Sequence, residues 1–404
     1  AFSEAAALQD DCAKLEGIPK TVANSGTSVA SVIKFAFGKK WALLAGAGFL
    51  AQMVAVMTAN VVKGAELVSF STGIPYPVAC ILPATLIGAF TFGTSRPERV
   101  EQVNTAMTIM MVGGFATLIA TTFGAGHTSG KGNLFGSLIR NNNWTRLLPN
   151  TQQAWAVPIF VKLLAFGEAM PLLIERMAFL SSDNGNNGNN KKADEVDDRE
   201  RRTKGLQKLR KATFLGAGIP LLLAVIWAGI SVALVEPTSP NPMISLLQRG
   251  PSIALPVLLL AYGAIGTTLL GAFLAMGHFC QDMICSKFGY CSIPWMKTAN
   301  VLTVMVPCLL ALFGSSLYLP LLAFAGAYPT TLLYGLAPSL AAMTLRKRAQ
   351  KKLNENLNGD AGFTITPHLV PGGKRTLVAM AATALGLVGA STLRAGRFFA
   401  KAVV

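Results

Sequence analysis

Four charged side chains share one otherwise apolar stretch, WAVPIFVKLLAFGEAMPLLIERM, which runs from Trp155 to Met177. Lys162 and Glu168 lie well inside it, and Glu175 and Arg176 stand at its end. A charge within a bilayer costs about 2.5–3.5 kcal/mol on insertion scales, so such a group marks a functional position by default. Glu168 sits between Gly167 and Pro171, with Pro158 further upstream. Proline removes a helical N–H and clashes one turn back, so Phe166-Gly167-Glu168 followed by Pro171 reads as a broken helix. Irregular backbone at membrane depth is tolerated only where protein buries it or where it lines a cavity, and transporters place substrate at such breaks. Glu168 then has three readings: proton carrier, partner for a substrate amine, or structural partner within a polar helix. Lys162 is about two turns from the outer end and has the reach to snorkel to the interface.

A second stretch, AYGAIGTTLLGAF, offers hydroxyls at Thr267 and Thr268 among Gly263, Gly266 and Gly271. Small residues let helices approach closely. The threonines either bond back to the preceding turn or face a cavity. His278, Cys280, Cys285 and Cys291 lie near one another in sequence, but H-x-C-x4-C-x5-C is not a zinc-site spacing. No metal site is expected. No phosphate-binding loop and no H-E-x-x-H occur. An intramembrane enzyme needs a cluster of His, Asp or Glu within its spans. Only Glu168 and Glu175 are placed there, so the chain is not expected to be an enzyme.

The elements that hold these residues follow from composition. The chain has 404 residues, 52% of them hydrophobic and only 13% charged, with a mean hydropathy of +0.48. A soluble domain carries about 25% charge. A helix crosses a hydrocarbon core of about 30 Å with about 20 apolar residues. Nine runs meet that length: Trp41–Val62, Tyr76–Thr94, Val103–Phe123, Ala154–Met177, Thr213–Val235, Ser252–Met276, Thr298–Leu317, Leu319–Leu345 and Thr376–Leu393. The eighth contains Pro329 and Pro338 and is expected to kink. The fold class is therefore an all-α polytopic membrane protein. Residues 1–40 read as an inner-side segment, 41–393 as the transmembrane domain and 394–404 as a tail.

The net charge of +16 raises nucleic acid as a partner. Its distribution argues otherwise. Alternating the loops puts Lys34, Lys39, Lys40, Arg96, Arg99, the basic run of 191–211, Arg346–Arg348, Lys351, Lys352, Lys374 and Arg375 on one side. Far fewer basic residues, among them Lys63, Lys131, Arg140 and Arg249, fall on the other. The rich side is cytoplasmic, or stromal in a plastid. The long inner loop opens with SSDNGNNGNN, too polar to bury, so disorder is expected across 181–207. Its acids are interleaved with its bases and no aromatics are present to stack on bases, so nucleic acid is not expected as a partner.

The order of several short motifs resembles the aromatic amino acid permeases, also called the tryptophan/tyrosine permease family, including its plastid and algal tyrosine-transporter-like members. The matching residues are Lys208-Leu209-Arg210, Gly216, Ile219-Pro220-Leu221 and Trp227. Pro158, Phe166 and Pro171 fit the family's broken segment. Gly64-Ala65-Glu66-Leu67, Gly93-Thr94, Gln102-Val103-Asn104 and Gly266 to Gly271 follow in kind, as do Ala325 to Tyr328 and Leu333-Tyr334-Gly335 to Pro338. The likeness covers roughly residues 41–345. Gly167 stands where the family has His or Asn, and Ala228 where it has an acid.

The resemblance implies a five-plus-five inverted-repeat fold of the amino acid–polyamine–organocation type. The nine runs would be spans three to eleven, with two earlier spans preceding Ala1. It implies secondary active transport of tyrosine or tryptophan coupled to protons, or to sodium, with no other cofactor. Phe166, Gly167 and Glu168 would belong to a broken helix at the substrate, and Thr267 and Thr268 to the neighbouring wall. The expected partners are the amino acid and the bilayer, and the expected locations a plastid inner envelope, a plasma membrane or a bacterial inner membrane. The alternative is a permease relative that no longer transports and serves as a structural or regulatory subunit.

Overall fold

The structure is a computed structural model. It describes residues 29–94, 97–128, 221–231, 242–288, 293–356 and 373–403, with isolated residues at 5, 8, 158–159, 214–215 and 218–219. The described residues are helical throughout, apart from short turns, and contain no strand. In chain order the helices are α1 (Val29–Phe37), α2 (Lys39–Thr72), α3 (Tyr76–Gly93), α4 (Pro97–Thr128), α5 (Leu221–Ser231), α6 (Pro242–Leu247), α7 (Pro251–Phe288) and α8 (Ile293–Ala311). A 3₁₀ turn at Ser315–Leu317 leads into α9 (Tyr318–Ala325), a π-helical segment (Gly326–Leu336) and α10 (Ala337–Asn356). The last helix is α11 (Gly373–Val403).

Among the described residues, six stretches are long and apolar enough to cross a membrane: Lys39–Thr72, Tyr76–Gly93, Glu98–Thr122, Pro251–Gly277, Ser315–Lys351 and Gly373–Leu393. This is the build of an integral membrane protein. Each matches one of the nine runs read from the sequence. Of the other three, Ala154–Met177 lies outside the described residues but for 158–159, Thr213–Val235 is described as helix at 214–215, 218–219 and over Leu221–Ser231, and the third is α8. That helix begins earlier than the run Thr298–Leu317 and stops at Ala311, because the chain turns through Gly314 at φ 119°, a conformation that favours glycine. Beyond the apolar stretch that ends at Leu393, residues 394–403 continue α11 as helix. The inner loop 181–207 lies outside the described residues.

Two compact units emerge, made of Ala1–Phe49, Pro158–Leu222 and Ala325–Val404, and of Leu50–Val157 and Leu223–Phe324. In the second, α4 and α7 are held backbone to backbone. A Cβ on Gly114 would lie 2.7 Å from the Leu260 nitrogen, and one on Gly263 would lie 2.7 Å from the Met107 carbonyl oxygen. Gly266 faces the Met107 sulfur, whereas Gly271 looks into open space. Leu67, Leu118, Ile230, Leu246, Val257 and Ala261 complete that core. Several polar residues of the spans are absorbed locally. Thr58, Thr91 and Thr303 each donate to a carbonyl one turn back, and Asn60 Nδ2 donates to Val56 O at 2.8 Å.

Because the obstacle at Gly263 is backbone, neither helix can give way by changing a rotamer. Gly263→Val is expected to separate α4 from α7 and to cost about 3 kcal/mol, the upper end for an overpacked site. Thermal unfolding in detergent checks this, with Gly271→Val as the open-space control, expected to stay near the wild-type midpoint.

In the first unit, α1 folds onto the start of α2 and the π-helical segment. Ile33, Ala45 and Leu333 form the buried centre, flanked by Phe37, Phe49 and Tyr334. Arg348 of α10 closes the other end of α1. Its guanidinium donates to the carbonyls of Phe35 at 2.9 Å and Ala36 at 3.1 Å, two of the acceptors a helix C-terminus leaves open.

Candidate functional site

The sequence places Lys63 in a loop beyond a span that ends at Val62. In the structure, α2 runs on to Thr72. Apolar residues continue on both sides of the charges (VVKGAELVSF), and helix termination waits for Gly73, at φ 73°, whose N–H bonds Ser69 O at 2.9 Å. Lys63 and Glu66 therefore stand three residues apart on one helical face, where such pairs meet. Lys63 Nζ lies 2.7 Å from Glu66 Oε2, and the side chains retain only 15% and 23% of their exposure. At 1.5 Å per residue, Lys63 is about 33 Å along the helix from Trp41. That puts the ion pair at the far edge of a core about 30 Å thick.

One tyrosine ring stands beside this pair. Lys63 Nζ sits 5.7 Å from the centroid of the Tyr318 ring at the start of α9, within cation–π range. Tyr76, the first residue of α3, donates its hydroxyl to Ala311 O at 3.1 Å and so satisfies the last carbonyl of α8. Cys80, one turn on, directs its thiol to the same oxygen at 3.9 Å. Ser71 on α2 and Tyr262 on α7 share a hydroxyl hydrogen bond of 2.7 Å. The Lys63–Glu66 pair on α2 and the Tyr318 ring at the start of α9 thus set one cation, one anion and one aromatic ring side by side. Such a set complements a zwitterion that carries an aromatic group.

The first unit contributes a different irregularity. Over Gly326–Leu336 the helix widens to π geometry. Pro329 lies inside it and offers no N–H. Thr331 reaches back five residues to Gly326 O at 2.7 Å. Thr330 is 2% exposed, and its hydroxyl finds no partner among the described residues. The sequence expects an irregularity at Pro329, and the helix there winds more loosely. Such segments are uncommon and are found mostly at functional sites.

The residues singled out from the sequence fare unequally. Phe166, Gly167 and Glu168 lie outside the described residues. Thr267 and Thr268 are on α7, the first half-buried and the second exposed. Both donate to Ala264 O, at 3.1 and 2.7 Å. The structure does not bring them to the Lys63–Glu66 pair by any contact. His278, Cys285 and Cys291 likewise have no described side-chain placement. Among the described residues, no three His, Cys, Asp or Glu side chains gather as metal ligands would.

The ion pair itself is missed by a reading that stops a span at its first charge. A Lys-x-x-Glu spacing within a continuing apolar run is the signal that marks it. No protein-family model, curated protein or solved structure matches the chain.

Proposed function

We propose that the chain is a secondary active permease for aromatic amino acids, working by alternating access. The observation that carries this reading is the half-buried Lys63–Glu66 ion pair with the Lys63 ammonium over the Tyr318 ring. A substrate carboxylate exchanges for Glu66 at Lys63, and its ammonium exchanges for Lys63 at Glu66. Each charge keeps a partner through the exchange, which avoids the penalty of a charge left alone. An aromatic side chain packs on the Tyr318 ring at offset or edge-on geometry.

Two further features support it. The motif Ala325 to Gly335, shared in pattern with the aromatic amino acid permeases, coincides with the π-helical segment and the buried Thr330 hydroxyl. The tight α4–α7 seam corresponds to the stretch ending Gly266-Thr267-Thr268. On this reading the helices form a five-plus-five inverted repeat, protons drive uptake, and Glu168 in the broken span carries the proton. Thr267 and Thr268 serve as wall residues whose hydroxyls turn from Ala264 O to the ligand.

Equilibrium binding of labelled tyrosine to the purified full chain in detergent tests the site. Saturable binding displaced by tryptophan but not by glycine is expected. A charge-assisted hydrogen bond is worth about 1.5–3 kcal/mol, so Lys63→Gln is expected to weaken binding by about tenfold or more. Binding unaffected by that substitution would place the ligand elsewhere.

A further inference from the structure

The inner face of the first unit carries a cationic surface that the transport reading does not use. We infer that it is a binding site for the headgroup of an anionic phospholipid, formed by Lys34 on α1, Lys39 and Lys40 at the start of α2, and Lys347 on α10.

The geometry begins with Arg348. Its guanidinium holds the carbonyls of Phe35 and Ala36, at 2.9 and 3.1 Å. The residues on either side of that contact are therefore neighbours in space. Lys34 immediately precedes Phe35, and its carbonyl accepts from the Gly38 N–H at 2.9 Å. Lys39 and Lys40 follow directly, and Lys347 precedes Arg348. All four lysines are exposed. The sequence supplies no Asp or Glu from Val29 to Ala65, nor from Tyr318 to Lys352. Four like charges gathered round one hydrogen-bonded joint repel one another, and no carboxylate of these segments offsets them.

Depth separates a lipid headgroup from an anion free in water. Trp41, Leu43 and Leu44 follow the lysines directly and are 59%, 70% and 64% exposed. Large apolar side chains showing that much surface mark the start of the lipid-facing band, and tryptophan favours the headgroup level. Helix α1 has the same polarity. Val32, Ile33 and Ala36 are buried against the protein, while Lys34 faces out. The lysines thus stand at headgroup height, one turn from the hydrocarbon. Clusters of this kind beside a span attract anionic lipid, each Lys near the surface strengthening the attraction by about fivefold.

The test uses the purified full chain in mixed micelles, with retention of phosphatidylglycerol and phosphatidylcholine followed by native mass spectrometry. The wild type is expected to retain phosphatidylglycerol selectively, and more weakly as salt is raised, because screening shortens the reach of surface charge. The variant Lys34→Gln, Lys39→Gln, Lys40→Gln, Lys347→Gln keeps Arg348 and so keeps the joint. It is expected to lose the selectivity at unchanged helicity. Equal retention of the two lipids by the wild type would overturn the inference, as would selectivity that survives in the variant. Displacement of the lipid by millimolar inorganic phosphate would also overturn it, by showing a site for a free anion. If the variant misfolds, the salt dependence of the wild type decides alone, and salt-independent selectivity counts against the site. None of these readouts involves transport.

Discussion

Replacing Lys63 by Met is expected to destabilise the folded chain by about 3 kcal/mol, the low end for breaking a buried ion pair, because both side chains keep some contact with water. Met keeps an unbranched stem of similar length, so the loss isolates the charge. Glu66→Leu is expected to act similarly, by stranding the ammonium. The double variant Lys63→Met, Glu66→Leu leaves no lone charge, and its stability is expected to return to within about 1 kcal/mol of the wild type. Its substrate binding is expected to stay lost, since neither end of a zwitterion then meets an opposite charge. Thermal unfolding in detergent beside tyrosine binding makes the comparison. Losses that simply add in the double variant would show that the two groups do not act as a pair. Recovery of binding with stability would remove the pair from the substrate site.

The second large effect concerns Glu168. Gln has nearly the same shape and keeps hydrogen-bonding capacity, but it cannot carry a proton. Glu168→Gln is expected to abolish uptake driven by a proton gradient while leaving exchange of internal for external substrate intact. Exchange requires alternating access but no net proton movement. Gradient-driven uptake at the wild-type rate would withdraw the coupling role from Glu168, and loss of exchange as well would make the residue structural.

How much of this was legible in the sequence depended on the physics that each feature expresses. Span existence was the most legible, because the length of an apolar run is itself the constraint that a bilayer imposes. The runs beginning near Trp41, Tyr76, Val103, Ser252, Leu319 and Thr376 all reappear as long helices. Helix ends were less legible. A charge reads as the edge of a span, yet Lys63 and Glu66 neutralise each other on one face and let α2 continue. Gly314 breaks an apolar run that hydropathy alone carries through to Leu317.

The glycines of AYGAIGTTLLGAF announced close packing, but only the fold distinguishes Gly263, pressed on the Met107 and Met111 backbone, from Gly271, which meets nothing. Pro329 announced an irregularity without its kind, since a kink and a π-helical segment both relieve a missing N–H. The site showed the same division. Isolated charges in apolar surroundings draw attention to Glu168, whereas the Lys63–Glu66–Tyr318 constellation joins α2 to a helix more than 250 residues later in the chain. No local pattern encodes that meeting.

The most direct measurement is uptake of labelled tyrosine and tryptophan into vesicles carrying the full chain, with and without an inward proton gradient. Saturable uptake, accelerated by the gradient and mutually competed by the two amino acids, is the predicted result. No saturable uptake in either condition would contradict a permease and favour a membrane subunit that does not transport.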